Sequence, residues 1–580
     1  MSRSDTPAKQ MVSWLSLLLA VLFLGPPAVH ADDDPLLNTP PPKPVRIPAE
    51  FEPMQAVVIE FWSTLGELYK DLAEDVRLIF IYGSEQEYSY MLRCFSRDGV
   101  DLDRCEFYPT SAMPVMRDGL PWFMFVDHNE PAFVHNQLMT DLCALPAYGL
   151  DLGYPVYRSG LRVFGGNFMT DGQGTAVSLD DVFLDHAEMG DEFAERVEDY
   201  WGVDTYHFID NERWEPNEYL HIDCLAKFLS PDTIMVARVP LTDVRREQSE
   251  QAAAYFARQV SCYGTPYRVV RVDVPNRQPY INSLILNRRV FVPITGSAAD
   301  AGALASYEAA MPGYEVIAVY NHPEGRTESI WAPFYALHCD SMGIADEQML
   351  YLEHVPLLNR PAGVEGFPIR ARIVAHSRTE FVEGTPVVWW RTLPQADSET
   401  ASVWSSVTLA RAAELGDHQY LTHIPAQPVG TEIQYYLQAR DASGRDETHP
   451  YIGQAQAHTF AVTRLGANVS AISAQRGGTI EITMNAGLEH ARQSYRLRCS
   501  LATDSGTLDG SDQVFLETVV LTGFEGVLDE FGIGTAQMTI SGPLTCGWVG
   551  TSIDLSLELE NQSDAVPDTI RIQILGQAVL

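Results

Sequence analysis

Apolar and polar positions along the chain fall into a repeating texture. From "FEPMQAVVIEFW" onward, continuous apolar runs suited to buried strands alternate with segments of helical periodicity such as "LGELYKDLAEDV", "DEFAERVEDYWG" and "REQSEQAAAYFARQV". That alternation continues to about Pro361 and predicts an α/β domain. Within it, "YINSLILNRRVFVPI", "GGNFMTDGQGTAVSLD" and "LAKFLSPDTIMVARVP" each set two apolar runs around a short polar turn, the pattern of a β-hairpin. In the first the turn is expected at Asn287 to Arg289, and Asn282 stands ahead of its first run as Asn167 does in the second. Such units begin near Pro53, Trp122, Phe168, Phe228 and Leu284, a loose repeat of one motif. Arranged in a ring, the copies would turn corresponding strand ends toward one centre.

Beyond Pro361 the helical periodicity fades. The runs "IRARIVAH", "PVVWWRTL", "TEIQYYLQARD" and "AHTFAVT" alternate strictly, which predicts an immunoglobulin-like β-sandwich over 363–463. Then "TIEITMNAG", "QVFLETVVL", "TAQMTISG" and "IRIQIL" predict a further β domain over 464–580. Neither stretch holds a cluster of catalytic residue types, so anchoring or spacing is the expectation for both. At the other end, Arg3 and Lys9 flank the apolar run "MVSWLSLLLAVLFLG", and small residues Val29 and Ala31 follow. This is the order of a secretory signal peptide over 1–31, with export to the cell surface, periplasm or medium implied; an uncleaved anchor is the alternative, although the run is somewhat short for a span. No later segment is apolar enough to span a bilayer, and the proline-rich stretch 32–49 reads as a linker or extended arm before a catalytic domain over 50–362.

Charge narrows the partners. The 580 residues carry a formal net charge of -38, and removing Arg3, Asp5 and Lys9 with the leader makes it more negative by one. Such a surface repels nucleic acid and anionic membranes, and it attracts cations mildly. Eight cysteines in so long a chain are no disulfide scaffold, although Cys94 with Cys105 and Cys499 with Cys546 are plausible pairs in an oxidising compartment.

Three constellations carry chemistry. In "HIDC", His221 and Asp223 lie two apart on an expected strand and would share a face, giving a general acid/base beside a carboxylate; a structural polar pair or half a metal site is the plainer alternative. In "MRDGLPWFMF", Asp118 precedes an apolar run, where an aspartate is usually a turn or cap residue. In "APFYALHCDSMGIAD", Cys339 follows an apolar stretch and precedes a polar turn, a place for a nucleophile, whereas a lone cysteine is more often inert and buried. Cys339 with His221 and Asn282 would also suit a cysteine protease, but no matching local signature surrounds Cys339.

Taken together, "RIPAEFEPMQAVVI", "GGNFMTDGQGTA", "HIDCLAKFLSPDTIMV", "QPYINSLILNRRVFVPITG", "AMPGYEVI" and "ALHC" resemble the secreted bacterial peptidylarginine deiminases, relatives of agmatine deiminase in the guanidino-group-modifying superfamily. The resemblance spans about Arg46 to Gly453 and includes "YYLQARDASGRDETHPYIG". It implies a five-bladed α/β propeller, the pentein fold, with its active site on the central axis. It further implies that Asp118 and Asp223 grip a guanidinium, that Cys339 attacks its carbon, and that His221 serves as acid and then base. Asn282, Asn167 and Gly166 would support the substrate, with Gly165 and Gly166 allowing close backbone approach. His338 would be structural, pointing away from Cys339. No metal or organic cofactor is implied.

Some positions depart from the family. Where it has two arginines that clamp a substrate carboxylate, the segment "FVHNQLMTDL" carries Gln137 and Met139; Val115 replaces a tryptophan, and Asp340 and Met342 replace Arg and His. A substrate carboxylate would therefore lose its charge-assisted partners. The expected activity is a deiminase converting peptide- or protein-bound arginine to citrulline. The alternatives are agmatine deiminase-like turnover of small guanidino compounds, or a non-catalytic surface binding module on the same scaffold.

Overall fold

The structure, a computed structural model, describes residues 36–110, 116–127, 129–136, 149, 152–211, 221–322, 329–331, 335–394, 403–503, 519–544, 548–560 and 568–576. The leader, Val115, Gln137, Met139 and Cys546 lie outside these residues.

Five small sheets share one plan. The strands are β1 (Met54–Ile59), β2 (Arg77–Tyr82), β3 (Cys105–Pro109), β4 (Trp122–Val126), β5 (Glu130–His135), β6 (Val156–Arg158), β7 (Met169–Thr170) and β8 (Thr175–Leu179). They continue with β9 (Thr205–Ile209), β10 (Ala226–Ser230), β11 (Thr233–Arg238), β12 (Arg268–Asp273), β13 (Leu284–Leu286), β14 (Arg289–Ile294), β15 (Glu315–Tyr320) and β16 (Ser341–Ala345). In four sheets an antiparallel hairpin is followed by a parallel third strand: β4-β5-β6, β7-β8-β9, β10-β11-β12 and β13-β14-β15. A parallel return needs a crossover. Helices Asp191–Trp201, Arg246–Phe256 and Asp300–Ala310 supply it after β8, β11 and β14. The first is amphipathic, with Phe193, Val197 and Trp201 buried against the sheets.

The remaining sheet runs β16-β1-β2-β3. Its first strand comes from the far end of the repeat: β16 pairs antiparallel with β1, Ile59 opposite Ser341, while β1 and β2 pair in parallel across the helix Gly66–Asp75. The unit expected near Pro53 is therefore not a sequence-local hairpin. Its two antiparallel strands are joined through space, which brings the ends of the repeat together.

Residues 36–49 lie along this body. Leu37 bridges to Tyr157 and Arg46 to Phe125, and Leu36, Val45 and Ile47 are buried. Gly202 ends the helix Asp191–Trp201 at φ 66°, and a Cβ there would stand 1.9 Å from the Val45 carbonyl oxygen, so both the left-handed backbone and the arm's approach require glycine.

From Leu350 to Ala461 two antiparallel sheets, one built on Phe367–Ala375 and one on Glu432–Arg440, enclose a core containing Phe367, Ile373, Val388, Tyr435 and Leu437. Residues 465–575 form a nine-stranded sheet over a second core of Ile480, Met538, Leu555 and Ile574. The first of these regions meets the α/β region through Tyr263 and His449, whose Oη and Nε2 lie 3.3 Å apart, and through Arg445, whose Nε and Nη2 donate to Asp346 at 2.6 and 2.7 Å.

Several local expectations need correction. Cys94 and Cys105 are both free: Cys94 is buried on the helix Glu85–Asp98, and Cys105 Sγ–H points to the Asp101 carbonyl oxygen at 3.4 Å. Cys499 is free as well. Arg289 begins a strand and Leu286 pairs with it, so the turn is Asn287 and Arg288, with Asn287 at φ 53°. "HIDC" is not a strand; Ile222–Cys224 is a 3-10 turn ahead of β10. Cys339 lies inside the turn 337–340 rather than ahead of one, and strand β16 begins at Ser341.

Candidate active site

The residues singled out from the sequence occupy equivalent places in the five units. Asp118 lies on the short helix Met116–Gly119 ahead of β4, Asn167 on a 3-10 turn ahead of β7, and Asp223 on the turn ahead of β10. Asn282 lies two residues ahead of β13 and Cys339 two residues ahead of β16. One position of a repeated fold thus carries two carboxylates, two amides and a thiol.

Gly166 marks the point where they converge. A Cβ added there would stand 2.7 Å from His221 Nδ1, 3.1 Å from Asp223 Oδ2 and 3.3 Å from Asp118 Oδ1. Its own N–H donates to Asp118 Oδ1 at 2.9 Å, and His221 Nδ1 lies 3.6 Å from the same oxygen. Phe164 stacks on the His221 ring at 5.1 Å between centroids. Neighbouring Gly165 is fixed by sterics, since a Cβ would come within 1.9 Å of the Arg117 carbonyl oxygen.

The thiol sits on the other side of Asp223. Cys339 Sγ lies 3.5 Å from Asp223 Oδ2, and Asn282 Nδ2 donates to the sulfur at 3.2 Å. Asn282 Oδ1 accepts from the backbone N–H of Cys339 at 3.1 Å and of Ala336 at 3.2 Å, so one buried amide holds both the sulfur and the turn that presents it. A hydrogen bond with Cys224, burial, and the Asp223 charge push the Cys339 thiol well above its ordinary pKa.

Asp223 keeps its charge despite complete burial. Burial works against ionisation, but the hydrogen bond and charge of His338, then the charges of His221 and Arg117, outweigh it and hold the carboxyl down at about 2. His338 Nδ1 lies 2.8 Å from Asp223 Oδ2, and its Nε2 lies 3.1 Å from Glu50 Oε2. Lys227 Nζ donates to the same Glu50 oxygen at 2.6 Å, and the Ile285 N–H to Glu50 Oε1 at 2.8 Å. Arg117 Nε donates to the His338 carbonyl oxygen at 2.6 Å.

The expected set therefore assembles, with one correction. Asn167 is fully buried, and its side chain is spent inside the protein: Oδ1 accepts from the N–H of Leu179 at 2.9 Å and of Ile222 at 3.1 Å, and Nδ2 donates to Asp181 at 3.1 Å. It supports the turn carrying His221 and Asp223 from below rather than meeting a ligand. Glu50, Lys227 and Arg117 escaped the sequence reading. A signal existed for one of them, because Lys227 interrupts the apolar run "LAKFLS" at a strand position where a cation needs a buried partner. Asp223, Cys224 and Cys339 also offer one oxygen and two sulfurs within 4.8 Å of one another, donor types that suit a thiophilic divalent ion.

This geometry sets a thiol and an imidazole beside two carboxylates. Residues 116–342 match the model of the Porphyromonas-type peptidyl-arginine deiminase family, so the resemblance noted from the motifs holds over the segment carrying Asp118, His221, Asp223, Asn282 and Cys339. A protein of Vibrio parahaemolyticus assigned by name to agmatine deiminase is 24% identical over 199 residues, 29% of this chain. The match spans 55% of that relative's length. Among solved structures, the agmatine deiminase of Enterococcus faecalis aligns with TM-score 0.44 and 18% identity, covering 52% of this chain and 96% of its own. A Porphyromonas gingivalis structure named for arginine deiminase aligns with TM-score 0.43 and 19% identity, covering 52% and 99%.

Proposed function

We propose that the protein is a cysteine-dependent deiminase that hydrolyses the guanidinium of arginine in peptides or proteins to a ureido group, releasing ammonia. The observation that carries this reading is the convergence of Asp118, His221 and Asp223 on the bare Gly166 backbone, with Cys339 held beside Asp223 by Asn282. The five sheets are then the blades of a propeller and the turns ahead of β4, β7, β10, β13 and β16 line its axis. In the same reading the leader directs export, and the sheets of 363–463 form an immunoglobulin-like domain that, with 464–580, spaces or anchors the catalytic unit.

Asp118 and Asp223 accept N–H bonds from opposite edges of the guanidinium, which orients it and holds its charge. The arriving cation adds positive charge next to the sulfur and favours the thiolate, so the nucleophile forms with substrate in place. His221 takes the thiol proton, and the sulfur attacks the guanidinium carbon to give a tetrahedral adduct. His221 returns the proton to one amino group, which leaves as ammonia, and the carbon becomes a cationic thiouronium. Water, losing a proton to His221, adds to that carbon; as the C–S bond breaks the departing thiolate takes the proton from His221, and the hydroxyl proton passes to the free ammonia, which leaves a neutral ureido group and ammonium.

The test is product analysis on the chain from Asp32, using a peptide with internal arginine, a peptide ending in arginine, and agmatine, with Cys339→Ser as control. Ureido product and ammonia from either peptide, absent in the control, are expected. Turnover of agmatine alone would reassign the enzyme to small guanidino substrates, and no product from any of the three would sink the enzymatic reading.

A further inference from the structure

We propose that His338 is a positioning residue of the guanidinium site: it bridges Asp223 to a buried Glu50–Lys227 pair and thereby holds the Asp223 carboxylate aimed before the substrate arrives. The inference rests on the deiminase reading above and adds a residue to it. The sequence suggested only a structural histidine facing away from the sulfur. The structure gives that histidine two charged neighbours.

Asp223 is completely buried, where a carboxylate needs hydrogen-bonding partners. Facing it are His338, His221, Arg117, Lys227, Cys224 and Cys339. Arg117 directs its Nε to the His338 carbonyl oxygen, and Lys227 is bonded to Glu50. His221 Nδ1 is on the Asp118 side. Among the basic side chains of the described residues, His338 is the one with a ring nitrogen against the Asp223 carboxylate, at 2.8 Å.

His338 is itself constrained from both sides. Each ring nitrogen faces a carboxylate oxygen, Nδ1 that of Asp223 and Nε2 that of Glu50, so the ring is held at both ends. Glu50 is held in turn by Lys227. The row Lys227, Glu50, His338, Asp223 ends at the site. The ring, 1% exposed and held through its backbone N–H by the Asn282 carbonyl at 3.1 Å, cannot swing aside. A substrate guanidinium therefore meets a carboxylate whose orientation is already set, which spares it that cost on binding.

The test uses His338→Gln, which retains an N–H donor but loses the second ring nitrogen that reaches Glu50, with Glu50→Gln as a second variant should the first not fold. The arginine peptide turned over by the wild type is the substrate. The expected result is a KM raised 10- to 100-fold with a much smaller fall in kcat. Unfolding temperature should stay within a few degrees of the wild type. In parallel, the same peptide is titrated into Cys339→Ala with and without His338→Gln, which reads binding without turnover; affinity should fall by the same factor as KM rises. Unchanged KM, or a loss confined to kcat, overturns the positioning role while leaving the deiminase reading intact. Absence of both turnover by the wild type and binding by Cys339→Ala overturns both.

Discussion

Replacing Gly166 by alanine tests the site with little disturbance of the fold. Gly166 does not adopt the left-handed backbone that strains other residues, so alanine can take up its conformation. On conformational entropy alone the change would be neutral or stabilising by about 0.4–1 kcal/mol. The new methyl carbon, however, lies 2.7 Å from His221 Nδ1 and 3.1 Å from Asp223 Oδ2, inside van der Waals contact. Asp223 is pinned by His338 at 2.8 Å and cannot retreat, so His221 moves or the guanidinium is displaced by roughly the radius of a methyl group. A misplacement of about 1 Å in a reacting pair costs on the order of 100-fold in rate. We expect kcat/KM for an arginine peptide to fall ~100-fold or more, with the unfolding temperature within ~2 °C of the wild type. The assay is steady-state ureido formation beside thermal unfolding monitored by circular dichroism. Activity within about threefold of the wild type would refute the claim that substrate occupies the space above Gly166. Gly165→Ala is the contrasting control, since its Cβ meets the Arg117 backbone at 1.9 Å and should damage folding itself.

Two further outcomes follow from the structure. The seam between the α/β region and the strands after Leu350 holds His354, His449 and His458, which burial pushes down, His354 to about 4 and His449 to about 3. The unfolded chain protonates these rings near pH 6.5, so their contribution is intact above that pH and drains away as pH falls toward 4; thermal unfolding should show a clear loss between pH 7.5 and 5 that His449→Gln reduces, and a flat profile would contradict it. Zinc at low micromolar concentration should inhibit by occupying Asp223, Cys224 and Cys339, with activity restored by EDTA. Cys224→Ser should weaken that inhibition at least tenfold, and an unchanged response would rule out the site.

What the sequence disclosed and what it withheld follow from range. The hairpins at Trp122, Phe168, Phe228 and Leu284 are legible because a turn and its two strands lie within a few residues, as at Asn287, whose left-handed backbone closes β13 onto β14. The pairing of β1 with β16 is invisible at that range, since nothing near Met54 points to a partner at Ala345. The site shows the same division. Asp118, His221, Asp223 and Cys339 were recognised because motif order carried them, but the depth of each side chain was not. Asn167 and Asn282 look alike in sequence, each ahead of a hairpin. Only packing separates them, because Asp181 and the Leu179 and Ile222 amides consume one while Cys339 and its turn take the other. The polar row behind Asp223 joins residues from the arm's end, a mid-chain strand and the nucleophile's turn, which no window of the sequence contains.

The strand that completes the first sheet also leads directly out of the nucleophile's turn, and this sets an order in time. A ribosome adds Cys339 and β16 after every other strand of the five sheets. Until Ser341–Ala345 has docked beside β1, the growing chain holds the two carboxylates without the Cys339 thiol and a first sheet with an open edge. Completion of the side-chain cluster and closure of the sheet therefore arrive in one event. A polypeptide that stalls or is clipped before that point has neither, and the cluster is complete only when its two distant segments meet.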